Sequence, residues 1–367
     1  MKRWIAGMLA LVLVFALAAC GGGPSENVQM QTTAALGAEE AKQELYKIRF
    51  GTMPYYLGVP CQVIREKELD KKYGFEMEVV NFSSGGPMAE ALGAGEWDIG
   101  AIGAGGMIAI PNYNAYLVYD VENVMDGAWI MARPDSAIVQ AGNTLADYPE
   151  VIGSAESVKG ATILGTIGNI SHYMAIDYVQ KMGLTMGDVN FLNMETSNVY
   201  TAFVSGSGDL ACMGSPSAAL KLLDEGYVLV GGLKQQGVPQ QDSILVSEDF
   251  YQNHRQAAVA FMAAWMEASA LLNADQTYEK ACMSTFYREQ GRTDFTEEDI
   301  AREAEWNTYT DPENYAEKPL GAWMQSLISC YVDAGVQDAA VLEALERNTV
   351  ADILQDALAL YNSVNGK

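Results

Sequence analysis

Apolar and polar positions alternate in short runs through the first two thirds of this chain, then shift to a helical period in the last third. Tyr46-Lys47-Ile48-Arg49-Phe50 alternates as a half-buried strand does. The spacing predicts a helix over 58–71 and a strand over 76–81. A second helix should run to about residue 93, with Pro87 suited to its first turn. Asp98-Ile99-Gly100-Ala101-Ile102 reads as a short buried strand. Strand, helix, strand, helix, strand is a βαβαβ series with a mostly parallel sheet. The pattern then restarts. Residues 128–132 and 136–141 are strand-like, 161–164 is a buried strand, and 171–183 is helical. Strands over 189–192 and 209–213 alternate with helices over 198–205 and 217–225. Residues 242–246 form one more strand, and from about Phe250 onward the pattern is helical. Phe261, Met262, Trp265 and Met266 lie at helical spacing and are read as core.

Length and composition limit the architecture. The chain has 367 residues, of which 49% are hydrophobic, so a disordered body is excluded. Two α/β series in a chain of this length suit two domains. The formal charge of −25 repels nucleic acid and anionic headgroups, and no basic block offsets it. No nucleic-acid partner is expected.

The N-terminus changes the picture of where this body works. Lys2 and Arg3 precede an apolar run from Trp4 to Ala19, shorter than the roughly 18 residues that suggest a membrane span. A basic start, an apolar stretch and small residues at the end read as an export signal over 1–19. Leu17-Ala18-Ala19-Cys20 resembles the lipobox of bacterial lipoproteins. That resemblance implies cleavage before Cys20 and a diacylglycerol on its thiol, an anchor on the extracytoplasmic face of the cell membrane. Residues 20–45 are rich in Gly, Ser, Thr, Gln, Ala and Glu and read as a flexible spacer. The other cysteines, Cys61, Cys212, Cys282 and Cys330, form neither a disulfide framework nor a CxxC metal motif. Buried free thiols are expected, with a Cys282–Cys330 bridge as the alternative.

Six segments in order carry a wider resemblance. They are Gly51-Thr52-Met53-Pro54-Tyr55-Tyr56, Phe82-Ser83-Ser84-Gly85-Gly86-Pro87-Met88-Ala89-Glu90-Ala91-Leu92, Gly95-Glu96-Trp97-Asp98-Ile99-Gly100-Ala101, Val158-Lys159-Gly160, Gly168-Asn169-Ile170-Ser171-His172-Tyr173 and Ala202-Phe203-Val204-Ser205-Gly206. Together they resemble the solute-binding lipoproteins of ABC importers in the nitrate/sulfonate/taurine branch, whose relatives bind thiamine-precursor pyrimidines. The resemblance implies a type II periplasmic-binding-protein fold, with two α/β lobes joined by two crossover strands and a helical C-terminal region. Lobe 1 would hold residues 46–128 and 243–367, and lobe 2 residues 129–242. It also implies a monomer that captures a sulfonate, nitrate, taurine or pyrimidine-like molecule between the lobes and delivers it to an ABC permease and its ATPase. The alternative is a pyrimidine-forming or other small-molecule enzyme on the same fold.

In open parallel sheets, ligands sit beyond the carboxyl ends of strands, near helix starts. The candidate contacts follow from that rule. Met53, Tyr55 and Tyr56 follow the first strand, with the tyrosines offering an aromatic wall. Ser83, Ser84 and Gly85 open one helix; Gly103, Ala104 and Gly105 end the third strand. Thr166, Gly168, Asn169, Ser171 and His172 open a helix of the second lobe, and Asn198 and Ser215 stand at two more helix starts. His172, at a positive dipole end, is expected to be neutral and to donate a hydrogen bond if it meets ligand. Where the family often carries a Trp and an acidic or polar residue, this chain has Gly214-Ser215-Pro216, which leaves a larger or differently shaped pocket. The chain has no GxxxxGK[ST] and no HExxH, so neither a P-loop nor that zinc motif is present. Two distant histidines give little scope for a triad or a metal site. No catalytic residue, metal or cofactor is expected.

Overall fold

The computed structural model describes residues 45–238 and 240–366. The expected export signal, Cys20 and the expected spacer through residue 44 lie outside the described residues. The strands are β1 (Tyr46–Thr52), β2 (Phe75–Asn81), β3 (Ile99–Ile102), β4 (Tyr116–Asp120), β5 (Glu122–Val124) and β6 (Trp129–Ala132). They continue with β7 (Thr162–Gly165), β8 (Asn190–Asn193), β9 (Leu210–Met213), β10 (Val228–Gly232), β11 (Ser243–Val246) and β12 (Asn307–Tyr309).

They form two five-stranded sheets of the same plan. The first runs β2-β1-β3-β11-β4 and the second β10-β6-β9-β7-β8. Within the first, β1 is parallel to β2 and β3, while β11 returns antiparallel between β3 and β4. Within the second, β7 is parallel to β8 and β9, and β6 is antiparallel to β9 and β10. A third, two-stranded sheet pairs β5 with β12.

The first lobe is built around the helix Arg255–Ala274. Its Phe261 lies 5.2 Å from Phe50 of β1, 5.8 Å from Phe75 of β2 and 5.8 Å from Trp265, and all four rings are buried. On the other face of β1, a Cβ at Gly51 would meet the Trp97 ring at 2.9 Å, and one at Gly100 would meet the Met88 methyl at 2.5 Å. These glycines make room for Trp97, whose Nε1 donates to the Met88 carbonyl at 2.8 Å.

Three local expectations differ from the structure. Residues 136–141 are a helix, Ala137–Ala141, because Ser136 Oγ accepts from Val139 N and caps it. The helix expected over 58–71 is a 3₁₀ turn and two short helices, Pro60–Glu66 and Leu69–Tyr73, broken where Glu68 takes φ 51°. The helical last third contains β12, which joins β5 beside the interlobe crossings. All four described cysteines are free, so Cys282 and Cys330 do not pair.

Phe261→Ala should cost about 3–5 kcal/mol, the usual range for deleting a buried aromatic ring. Urea unfolding followed by circular dichroism checks it; a loss under 1 kcal/mol would mean this ring cluster does not organise the lobe.

Candidate functional site

The chain passes between the lobes along two neighbouring paths. Val121 N donates to the Asp242 carbonyl at 2.7 Å, and Val124 N and Gln240 N donate to each other's carbonyls at 2.8 and 3.0 Å. β12 lies on the other side of β5, and Thr310 N extends that pairing to the Val121 carbonyl at 2.8 Å. These bonds satisfy backbone groups that a crossing would otherwise leave unpaired.

A cavity of about 120 Å³ opens beside these crossings, well beyond the roughly 10–15 Å³ that one water needs. The first lobe lines it with Met53, Tyr55, Tyr56, Leu57, Ser84, Gly85, Gly103, Ala104 and Gly105. The second contributes Asn169, Ile170, Thr196, Gly214 and Pro216. The crossings contribute Glu122, Val124, Asp126, Gly127, Ala128, Gln240 and Asp242, and the C-terminal region Glu303 and Asn307.

Local sequence explains the wall. A Cβ on Gly105 would meet the Gly85 carbonyl oxygen at 2.4 Å, so two loops touch backbone to backbone only because both residues are glycine. Tyr56 is stacked on Tyr309 at 4.2 Å, donates to Glu279 Oε1 at 2.5 Å, and accepts at its carbonyl from Tyr309 Oη at 3.1 Å. These contacts fix the Tyr56 side chain at the cavity wall. The helices Gly85–Gly93, Thr196–Val204 and Pro216–Asp224 begin here without a side-chain cap, which leaves first-turn N–H groups for a ligand.

Several expected contacts stand elsewhere. His172 is 5% exposed, between Phe191 at 4.7 Å and Tyr331 at 5.1 Å, and burial lowers its pKa to about 4. It is neutral packing behind the wall. Ser171 is fully buried one step into the same helix, and Gly168 turns at φ 77° against Ile108. Thr166 Oγ1 donates to the Met194 carbonyl at 2.8 Å, which ties one loop to another. Ser83 and Asn198 are exposed outside the cavity, and Ser215 is tucked at a helix start just behind Pro216.

Sequence reasoning missed the carboxyl groups. Asp126 Oδ1 accepts from Trp129 Nε1 at 2.5 Å and from Gly127 N at 2.8 Å. Glu303 accepts from Tyr287 Oη at 2.8 Å and pairs with Arg292 at 3.3 Å. Arg292 is itself 7% exposed and also donates to Ser217 Oγ at 2.7 Å and to the Pro54 carbonyl at 3.3 Å. It thereby joins both lobes and spends its charge on Glu303. Glu122 is fully buried, and neither of its carboxyl oxygens meets an N–H or O–H donor from a non-acidic group. Its polar neighbour is the Asp242 carboxyl, which accepts from Gln240 Nε2 at 2.5 Å. Burial, and then the Asp242 charge, push the Glu122 pKa well above its usual value; burial also raises Asp242 against the hydrogen bonds it accepts. Two adjacent buried carboxyls cannot both ionise cheaply, so the pair resists carrying a second charge.

Among the described residues no Lys, Arg or His lines the cavity. No group of three or more His, Cys, Asp or Glu side chains among them is placed to hold a metal ion. Magnitudes rank what remains. A helix start favours an anion by about 0.3–1 kcal/mol. A carboxylate 4 Å away opposes one by about 4 kcal/mol at an effective dielectric near 20.

Because the Glu122 pKa is raised on folding, protonation contributes stability at low pH that is lost as pH rises above about 4.5, its unfolded value. Glu122→Gln removes that loss. Ligand-free Glu122→Gln should therefore melt above the parent protein, by a margin that is larger at pH 8 than at pH 5. Calorimetry at both pH values checks this, and a parent that gains stability relative to the variant on going to pH 8 would contradict it.

The profile of the NMT1-like family matches residues 41–285. The chain is 29% identical, over 98% of its length and 100% of the relative, to a Brachyspira hyodysenteriae protein named as an ABC transporter periplasmic binding protein. Among solved structures it is similar to the alkanesulfonate-binding protein SsuA of Xanthomonas axonopodis bound to MOPS. That match has a TM-score of 0.65 and 17% identity, over 84% of this chain and 99% of that one. It is also similar to the nitrate-binding protein NrtA of Synechocystis, with a TM-score of 0.66 and 16% identity over 86% and 89% of the two chains. These likenesses show the fold, that of the periplasmic binding proteins.

Proposed function

We propose that this chain, which belongs to the NMT1-like family, captures a small solute between its lobes outside the cytoplasmic membrane and delivers it to an ABC permease and its ATPase. One observation carries the reading: the cavity is lined at once by both lobes and by the strands that join them. A molecule seated there touches every part that must move when the lobes hinge, so its binding energy stabilises one lobe arrangement over others. Micromolar capture needs about 8 kcal/mol, which several hydrogen bonds and a desolvated aromatic wall can supply together. The named activities of the structural neighbours, and the segments resembling sulfonate, nitrate, taurine and pyrimidine binders, support a small polar solute. The same reading makes Cys20 the lipidated residue and residues 20–45 the tether.

Native mass spectrometry of protein isolated from its own membrane fraction should show a bound small molecule that is lost on denaturation. Adding it back should raise the melting temperature and reduce the radius of gyration in solution scattering. A cleft that takes up no small molecule and lobes that never change separation would sink the capture reading. For the anchor, Cys20→Ser should move the protein from the membrane fraction to the soluble extracytoplasmic fraction and abolish labelling by a fatty-acid probe. Unchanged membrane retention would refute the tether.

A further inference from the structure

The capture reading leaves the chemistry of the solute open, and the carboxyl groups of the cleft address it. We infer that the cavity takes a small organic cation, a protonated amine or amidinium, whose N–H groups are received by the Glu122–Asp242 carboxyl pair on the crossing strands. This inference rests on the capture reading and sharpens it.

Three observations carry it. First, the charges facing the cavity are of one sign. Glu122, Asp126, Asp242 and Glu303 line it, and no cationic side chain among the described residues does. The nearby Arg292 is committed to Glu303, Ser217 and the Pro54 carbonyl. Second, the acceptors differ in what they already hold. Asp126 receives Trp129 Nε1 and the Gly127 N–H, and Glu303 receives Tyr287 and Arg292. Glu122, fully buried, receives no donor from a non-acidic group at either oxygen. A buried acceptor kept without such a donor costs stability unless something outside the protein supplies one. Third, Tyr55 and Tyr56 line the same cavity, and aromatic rings favour a neighbouring cation over an anion, as the Arg292 guanidinium over the Tyr55 ring at 5.6 Å illustrates. Two neighbouring carboxyls match the parallel N–H groups of an amidinium, or two of the three of an ammonium.

The uncapped helix starts in the same wall still favour acceptor atoms. They suit the far end of such a ligand, so a hydroxyl or carbonyl on its other side is compatible with the cationic end at Glu122. An inorganic anion or a bare sulfonate offers nothing to the carboxyl pair and is repelled by it.

The test uses the mature protein, freed of bound solute by unfolding and refolding. Calorimetric titrations employ matched probes: benzamidine and benzylamine as cations, benzenesulfonate and nitrate as anions, and benzyl alcohol as the neutral control. The cations should bind saturably, one per chain. Their Kd should rise at least tenfold in Asp242→Asn and in Glu122→Gln, while benzenesulfonate and nitrate stay without measurable heat. If Asp242→Asn does not refold, Glu122→Gln carries the test, because it keeps the shape of the side chain. Saturable binding of an anion with no binding of either amine would overturn the inference and leave the capture reading standing. Amine binding that both substitutions leave unchanged would also overturn it. Failure of all five probes to bind, together with no small molecule retained by the native protein, would overturn both.

Discussion

The constraint on which the rest depends is that a chain leaving one lobe for another must keep its backbone bonded on the way. The crossings do this by pairing with each other, Val121 to Asp242 and Val124 to Gln240, and β12 adds a third strand alongside β5. That pairing has a consequence for side chains. Once Val121 N is bound to the Asp242 carbonyl, Glu122 and Asp242 are neighbours in a buried place. The acid pair is therefore a product of the crossing register, and any molecule that meets it also meets the strands that join the lobes.

The C-terminal region ties the lobes together away from the crossings. Tyr331 of the helix Ala322–Asp333 lies edge-on to His172, and its hydroxyl reaches the Asn169 carbonyl at 3.5 Å. On the other side of the cleft, Arg292 bonds Ser217, and Trp306 packs on Trp129 at 5.6 Å. The lobes are thus tied at two flanks as well as at the hinge. Breaking the Arg292–Glu303 pair would strand a buried charge, which is costlier than losing an exposed ion pair.

Much of the fold was legible because its elements obey local rules. The alternation at Tyr46–Phe50, the buried run before Gly103 and the glycine-rich loops before helices mark a βαβ series without any knowledge of tertiary contacts. Part of the site followed from the same rule, since Tyr55, Tyr56, Ser84, Gly85, Gly105 and Asn169 all stand at carboxyl ends of strands or helix starts and all line the cavity. The carboxyls were not legible for a physical reason. Glu122 and Asp242 lie 120 positions apart in a chain full of acidic residues, and only strand pairing singles them out. Glu303 belongs to a helix whose period reveals a core face but not which neighbour it meets, and Arg292 stands in the loop before that helix, where no period marks it. His172 misled because a helix start suits either a ligand or a cap. Its ring turns into a gap between Phe191 and Tyr331 that sequence spacing cannot show.

The position of β11 has a consequence for the order in which the molecule is built. It sits between β3 and β4, yet it follows every strand of the second sheet in the chain. As the polypeptide emerges from its N-terminus, the first lobe is left with an open slot in mid-sheet while the whole second lobe is delivered. The second lobe, continuous in sequence, can assemble at once. The first must hold two unpaired strand edges until residues 243–246 arrive and close a loop of more than a hundred residues. During that interval the exposed edges of β3 and β4 are its most vulnerable surface, and the late strand that seals them is the same one that extends from Asp242.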